Sequence, residues 1–143
     1  MIHIDRILYA TDFSSYSNQA YFHAVSLAKF HQARLVIAYV YDPSQTDLPA
    51  APEGRSAEEH WREQLGQIRP LDESIAIEHL LLIGDPASEL VELTRTQRFN
   101  LVVMGTHGRT GLDRLLMGSV AERMLRESPC SVLVVKLPQG HGS

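Results

Sequence analysis

Short apolar runs alternate along this chain with longer segments in which apolar residues recur at helical spacing. The runs are too short and too β-branched for helices, and they predict strands at residues 7–10, 34–41, 75–83, 101–104 and 131–136. The segments between them predict helices, so the order is β-α-β-α-β-α-β-α-β. Such alternation predicts an α/β fold, an open five-stranded parallel sheet with right-handed crossovers and helices on both faces.

Polar residues before the helical segments predict where the helices begin. Ser14 or Ser15 suits the cap of the first helix, and Asp85 followed by Pro86 suits the start of the third. The second helix is predicted over residues 56–68. The side chains predicted to face the sheet from the four helices are Ala20, Ala24, Leu27 and Ala28; Ala57, Trp61, Leu65 and Ile68; Ala87, Leu90 and Val91; and Val120, Met124 and Leu125.

Length and composition narrow the class of protein. A chain of 143 residues is long enough for one domain with a core, predicted to span residues 1–143. The net charge of −4 and the lack of a basic run argue against nucleic-acid binding. The first apolar stretch contains Asp5 and Arg6, unlike a signal peptide, and no apolar run approaches the roughly 20 residues of a membrane span. With Cys130 as the single cysteine, we expect a cytoplasmic protein.

The segment from residue 100 to residue 119 carries the clearest chemical signal. Its strand ends at Gly105, a polar loop containing Gly108 follows, and a helix is predicted to start after Gly118 and Ser119. A helix start presents free N–H groups and partial positive charge, and glycines let a ligand approach the backbone closely. The segment therefore predicts a phosphate site. It is not a P-loop, because no Lys follows the last glycine, and it is not a G-x-G-x-x-G motif.

The glycine spacing, G-x2-G-x9-G-S, resembles the phosphate-binding signature of the universal stress protein family. The segments ILYATDFS at residues 7–14 and SPCSVLVV at residues 128–135 are similar to the first strand and the last strand of that family. The resemblance extends over nearly the whole chain. It implies the adenine nucleotide α-hydrolase-like fold with strand order 3-2-1-4-5 and a site for ATP, with or without Mg²⁺. Since ligands bind where strand order reverses, the ends of strands one and four are expected to form that site.

The resemblance also implies roles for individual residues. Asp12 is expected to bind the ribose hydroxyls, although an Asp at this position also suits a helix cap. The backbone of Val40 is expected to contact adenine, although Val40 is equally well interpreted as an ordinary strand valine. Arg109 is either a phosphate ligand or a solvated loop residue. No carboxylate is placed by the sequence to activate His107, so no catalytic residue is predicted. The other histidines show no H-x3-H or similar ligand spacing, so no protein metal ligand is predicted. The full predicted nucleotide-binding set is Ala10, Thr11, Asp12, Val40, Met104, Gly105, Thr106, His107, Gly108, Arg109, Gly118, Ser119 and Val120.

The resemblance implies an ATP-binding stress-response or signalling protein that acts through an unidentified protein partner, and we expect it to lack efficient catalysis. Asp113 is the only acidic residue in the glycine loop, which argues against the alternative of a slow ATPase or phosphotransferase. The intact glycines argue against a nucleotide-free interaction module, and the short chain argues against a hydrolase or flavoprotein with a substrate domain.

The last strand, from Ser131 to Lys136, is expected at a sheet edge. Because it is apolar toward both faces, it predicts a homodimer in which two copies of this strand pair, with Val132 and Val134 across the axis.

Overall fold

The computed structural model describes residues 3–45, 50–106 and 117–136. Within these ranges strands and helices alternate along the chain, as the sequence pattern predicts. The elements are β1 (Arg6–Ala10), α1 (Ser15–His31), β2 (Arg34–Tyr41), α2 (Ala57–Gly66), β3 (Ile77–Ile83), α3 (Pro86–Thr96), β4 (Leu101–Gly105), α4 (Ser119–Glu127) and β5 (Ser131–Val135). No helix in the described part of the chain is long and apolar enough to cross a membrane.

The strands form one parallel sheet in the order β3-β2-β1-β4-β5, which confirms the predicted topology. β1 lies at the centre, where Ile7 is paired with Leu35 of β2 on one side and with Leu101 of β4 on the other. The side chain of Asn100 holds the start of β4 against the start of β1, because its Oδ1 accepts the backbone N–H groups of Asp5 and Arg6 at 2.9 Å each.

The two faces of the sheet carry separate apolar cores. α1 and α2 cover one face, and three alanines of α1 (Ala20, Ala24 and Ala28) are at most 1% exposed against it. α3 and α4 cover the other face and contact residues such as Val36 and Val102, both fully buried. Small side chains on α1 allow the helix to approach the sheet closely, so the sheet is buried on both sides as a parallel sheet requires.

Two helices begin at the predicted side-chain caps, and a third has a side-chain cap that was not predicted. Ser14 accepts the N–H of Ser17 at the start of α1, and Asp85 accepts the N–H of Ser88 at the start of α3, where Pro86 is the first helical residue. The cap of α2 is Ser56, which forms a reciprocal capping box with Glu59. Each cap satisfies amide donors that the helix itself leaves without a partner.

Several predicted boundaries are wrong by one or two residues. β3 begins at Ile77 and not at 75, because the N–H of Ile75 turns back to the carbonyl of Asp72 at 3.3 Å. α2 occupies Ala57–Gly66 and not 56–68, because Ser56 is its cap and the chain turns after Gly66. β1 starts one residue earlier and β4 ends one residue later than predicted, and β5 stops before Lys136.

One predicted core position is also wrong. Leu125 was expected on the inner face of α4 beside Met124, but its side chain is 47% exposed whereas Met124 is fully buried. Adjacent helical residues point about 100° apart because the helix has 3.6 residues per turn, so only one of the two can face the sheet. Ala121, three residues before Met124, shares the inner face instead.

Candidate functional site

Ala10 and Gly105 end two neighbouring strands, β1 and β4, at the point where the strand order reverses. The next residues, Thr11 and Thr106, are both buried, at 6% and 7% exposure. The N–H of Thr11 continues the sheet by donating to the carbonyl of Ala38 at 2.9 Å. The structure therefore brings together the ends of the two strands at which a ligand of a doubly wound sheet binds.

The turn after β1 is built from two overlapping side-chain-to-backbone hydrogen bonds. Thr11 Oγ1 accepts the N–H of Phe13 at 3.0 Å, and Asp12 Oδ1 accepts the N–H of Ser14 at 3.0 Å together with its hydroxyl. The residue that caps α1 is Ser14, so Asp12 is not the helix cap. Asp12 is half-buried and stands two residues before that cap, at the carboxyl end of β1.

Buried polar groups join this turn to the first turn of α1. Thr11 Oγ1 lies 3.3 Å from Ser17 Oγ, and the phenol of Tyr9 donates to the carbonyl of Ser17 at 2.8 Å. Burial raises the pKa of Tyr9, so its phenol remains a proton donor at neutral pH. These bonds fix the start of α1 relative to the end of β1, and with it the turn that carries Asp12.

Val40 lies near the end of β2 and is 6% exposed. β2 pairs with β1 as far as Ala38, whereas it pairs with β3 as far as Tyr41. β2 therefore extends past the end of β1, and Val40 belongs to this extension. A backbone contact from Val40 to a ligand is compatible with this geometry, while its side chain packs into the core formed with α3 and α4.

The start of α4 is bonded directly to the end of β4. The N–H of Gly118 donates to the carbonyl of Thr106 at 2.7 Å, and the N–H of Thr106 donates to the carbonyl of Val135 at 3.1 Å. Met104 is 5% exposed, Val120 is half-buried and Ser119 is exposed. The predicted residues His107, Gly108 and Arg109 lie outside the described residues.

Gly118 occupies the cap position of α4, and no side chain in the described ranges donates or accepts a capping bond there. Its φ of −65° and ψ of 154° are open to most residue types, so the backbone conformation does not require glycine. Ser, Asp or Asn would cap the helix better. A glycine at this position has no side chain that could cap the first amides of α4.

Ion pairs hold α4 against α3. The guanidinium of Arg123 donates to Glu127 at 3.0 Å within α4 and to the hydroxyl of Ser88 at 2.9 Å on α3. It also lies 3.7 Å from the carboxylate of Asp85, the cap of α3. The hydrogen bonds from Ser88 hold the pKa of Asp85 below its usual range, so this carboxylate is ionised at neutral pH. Arg123 therefore fixes the position of α4 relative to the start of α3, which follows the carboxyl end of β3.

The sequence did not predict the backbone of Phe13, which has φ of +65° immediately after Asp12. The residues Thr11, Asp12 and Ser14 are typical of the side-chain-to-backbone turns observed here, so the turn could have been predicted, but not the φ of Phe13. Within residues 3–45, 50–106 and 117–136 no three His, Cys, Asp or Glu side chains are grouped as a metal site requires.

Comparison with known proteins agrees with this architecture. The profile of the universal stress protein family matches residues 3–136. A universal stress protein of Methanocaldococcus jannaschii is 39% identical over 143 residues, which cover 94% of this chain and 83% of the relative. The solved structure of universal stress protein UspA from Lactobacillus plantarum, 24% identical, superimposes with a TM-score of 0.73 and covers 93% of this chain and 98% of the other.

A second solved structure is that of a universal stress protein in complex with cAMP. It is 27% identical, superimposes with a TM-score of 0.66, and covers 94% of this chain and 98% of its own. The family profile spans nearly all of the chain, including both segments that form the end of the sheet described above. This chain belongs to the universal stress protein family.

Proposed function

We propose that this protein binds ATP at the carboxyl ends of β1 and β4 and that the bound nucleotide regulates its contacts with other proteins during stress. The observation that carries the proposal is the start of α4. α1, α2 and α3 each have a side-chain cap, whereas the cap residue of α4 is Gly118, bonded to Thr106 at the end of β4. Helix amides at the switch point of a parallel sheet suit a phosphate group, and those of α4 have no side-chain cap among the described residues.

The residues present fit an adenine nucleotide. The amides of Ser119 and Val120 would donate to phosphate oxygens, because the N–H of Gly118 already donates to Thr106, and the predicted Gly108 and Arg109 would complete that side of the site. The Asp12 carboxylate would accept the ribose hydroxyls, and the backbone of Val40 would contact adenine. A Mg²⁺ ion would arrive with the nucleotide and be held largely by phosphate oxygens and water. The relative solved with cAMP supports adenine nucleotides as the class of ligand.

Thermal unfolding with ATP tests the site. A nucleotide at about 100 times its dissociation constant stabilises the folded protein by about 2.7 kcal/mol. Asp12→Asn keeps an oxygen that can accept the Ser14 hydrogen bonds but removes the charge, so we expect ATP to bind about tenfold more weakly. Asp72→Asn is the matched control, because Asp72 accepts the N–H and hydroxyl of Ser74 in the same way. Asp72 precedes β3, however, and so lies at the amino ends of the strands, whereas Asp12 lies at their carboxyl ends. Equal ATP affinity in the two variants would refute the assignment of Asp12.

Binding without efficient turnover is the proposed mode of action. Phosphoryl transfer needs a positioned base or water-orienting group and metal ligands, and the glycine loop contains Asp113 as its only acidic residue. Phosphate release from ATP at ordinary enzyme rates, about 1 to 1000 per second, would replace this proposal by that of an ATPase.

A homodimer is proposed through β5. β5 is an edge strand, and Val132 and Val134 are half-buried within a single chain. Antiparallel pairing with the same strand of a second copy would satisfy its free backbone edge. Light scattering at low micromolar concentration should give about twice the 16.0 kDa of one chain. A monomeric mass, or an unchanged dimer in a folded Val134→Pro variant, would exclude this interface.

A further inference from the structure

Phe13 has a backbone conformation that its side chain does not favour. Its φ of +65° lies in the left-handed region. Residues other than glycine rarely adopt this region, and bulky residues do so least often. The residue follows Asp12 directly, so its backbone sets the path of the chain between the Asp12 carboxylate and the cap of α1. A conformation of this kind persists only where the surroundings hold it, and such positions cluster at functional sites.

Two aromatic residues from separate elements hold the Phe13 ring. Tyr39 of β2 meets it edge-on, with ring centres 4.7 Å apart and planes inclined by 64°. The ring centre of Trp61, in α2, lies 5.3 Å from that of Phe13, and the Tyr39 and Trp61 ring centres are themselves 5.2 Å apart. Tyr39 and Trp61 are 4% and 5% exposed, so this aromatic cluster of Phe13, Tyr39 and Trp61 is anchored in the core.

The cluster is linked to the candidate site by hydrogen bonds on both sides of Asp12. The N–H of Phe13 donates to Thr11 Oγ1 at 3.0 Å, and the N–H of the following residue, Ser14, donates to Asp12 Oδ1 at 3.0 Å. Rotation of the Phe13 backbone out of the left-handed region would redirect both N–H groups. The direction of the Asp12 carboxylate therefore depends on the packing of a ring one residue away.

We propose that Phe13 is a positioning residue for Asp12 and that the aromatic cluster couples α2 to the nucleotide site. This inference rests on the proposed binding of an adenine nucleotide by Asp12. Packing of the ring against Trp61 keeps the left-handed turn in place, and the turn aims the carboxylate. By reciprocity, a nucleotide that engages Asp12 alters the environment of Trp61, and a partner that moves α2 alters nucleotide affinity.

The chain provides its own reporter for this coupling. Trp61 is the only tryptophan in the sequence, so tryptophan fluorescence reports on the surroundings of this member of the aromatic cluster. ATP binding is measured by equilibrium dialysis and Trp61 emission is recorded in parallel, for the wild type, Phe13→Gly, Phe13→Tyr and the control Phe30→Leu. Phe30 lies on α1 and is 83% exposed, outside the cluster. Circular dichroism establishes that each variant is folded.

We expect ATP to shift Trp61 emission in the wild type and in Phe30→Leu. Phe13→Gly accepts the left-handed conformation without strain but no longer holds it, so ATP should bind about tenfold more weakly and the emission change at saturation should disappear. Phe13→Tyr keeps the ring and should restore both readouts. A purely structural role would lower the thermal stability of Phe13→Gly and leave its ATP affinity unchanged.

The outcomes separate this inference from the proposed function. If the wild type binds no ATP in dialysis, the proposed function is wrong and the inference is wrong with it. If the wild type binds ATP and folded Phe13→Gly binds it equally well, only the inference is wrong. If Phe13→Gly does not fold, the ATP affinity of Trp61→Ala tests the same packing contact through its α2 residue, with Trp61→Phe as the control. An ATP affinity in Trp61→Ala equal to that of the control overturns the inference.

Discussion

Replacement of Gln32 by glycine should make this protein more stable, although Gln32 is an exposed surface residue. Gln32 follows the last residue of α1 and has φ of 55° and ψ of 42°, in the left-handed region. Its N–H and that of Ala33 return to the carbonyls of Lys29 and Ala28, at 3.3 and 2.9 Å. This is the hydrogen-bond pattern of a Schellman motif, in which glycine normally occupies the left-handed position.

The expected gain is the difference between two opposing terms. A residue with a Cβ in the left-handed region loses about 1–2 kcal/mol relative to its preferred conformation. Glycine removes this cost, but its greater freedom in the unfolded chain costs about 0.5–1 kcal/mol. The net stabilisation for Gln32→Gly is therefore about 0.5–1 kcal/mol. For a chain of this length the midpoint of thermal unfolding should rise by about 2–3 °C.

Urea unfolding monitored by circular dichroism measures this difference. Gln32→Ala is the matched control, since alanine also shortens the side chain but retains the Cβ, and its free energy of unfolding should stay within about 0.5 kcal/mol of the wild type. Gln32→Gly should raise the urea midpoint without a change in the m-value. If the glycine variant is no more stable than the alanine variant, the left-handed conformation of Gln32 does not carry the cost assigned to it.

Three further substitutions test other parts of the fold. Leu65→Ala, at a fully buried position of α2, should lower the free energy of unfolding by about 3 kcal/mol, measured by urea unfolding, whereas a loss below about 1 kcal/mol would mean that the site collapses around the cavity. Asp85→Ala removes the bond to the Ser88 N–H and should cost about 1 kcal/mol in the same assay, with Asp85→Asn as the control that keeps a capping oxygen. The hydrogen bond from Lys29 lowers the pKa of Asp72, so its contribution is present above the unfolded pKa, about 4, and is lost as the pH falls toward the folded value. The stability difference between the wild type and Asp72→Asn, from urea unfolding between pH 7 and pH 3, should therefore be constant above about pH 5 and shrink below about pH 4, and a difference that does not shrink would contradict the ion pair.

The alternating pattern of the sequence predicted the fold because local signals agreed with the tertiary structure. β2 has the predicted bounds, since Arg34 and Tyr41 enclose an unbroken apolar run that is buried on both faces. Asp85 and Pro86 act at the predicted positions because a cap needs only a short polar side chain and a fixed φ. The predicted start of β3 at Ile75 was wrong because apolar character indicates burial only. Ile75 is buried in a turn, and a buried turn residue is as apolar as a buried strand residue.

The candidate site was predictable only in part. The neighbouring ends of β1 and β4 follow from strand order, which the family resemblance supplied. The left-handed backbone of Phe13 could not be read from local propensity, because it depends on rings of Tyr39 and Trp61 that are distant in the chain. The open cap of α4 at Gly118 was visible as a glycine, but its contact with Thr106 required the tertiary structure.

The central position of β1 has a consequence for synthesis of the chain. β1 can pair with β2 once Leu35 has left the ribosome, but its other edge pairs with β4 and must wait for Leu101. At about 5–20 residues per second this interval lasts several seconds, during which a half-sheet presents the backbone of a strand that is buried in the finished protein. An open apolar edge of this kind invites pairing with another nascent chain. Docking of β4 covers that edge, and Asn100 then joins the start of β4 to the start of β1. The delay before β4 is synthesised therefore sets how long each newly made chain is exposed to aggregation.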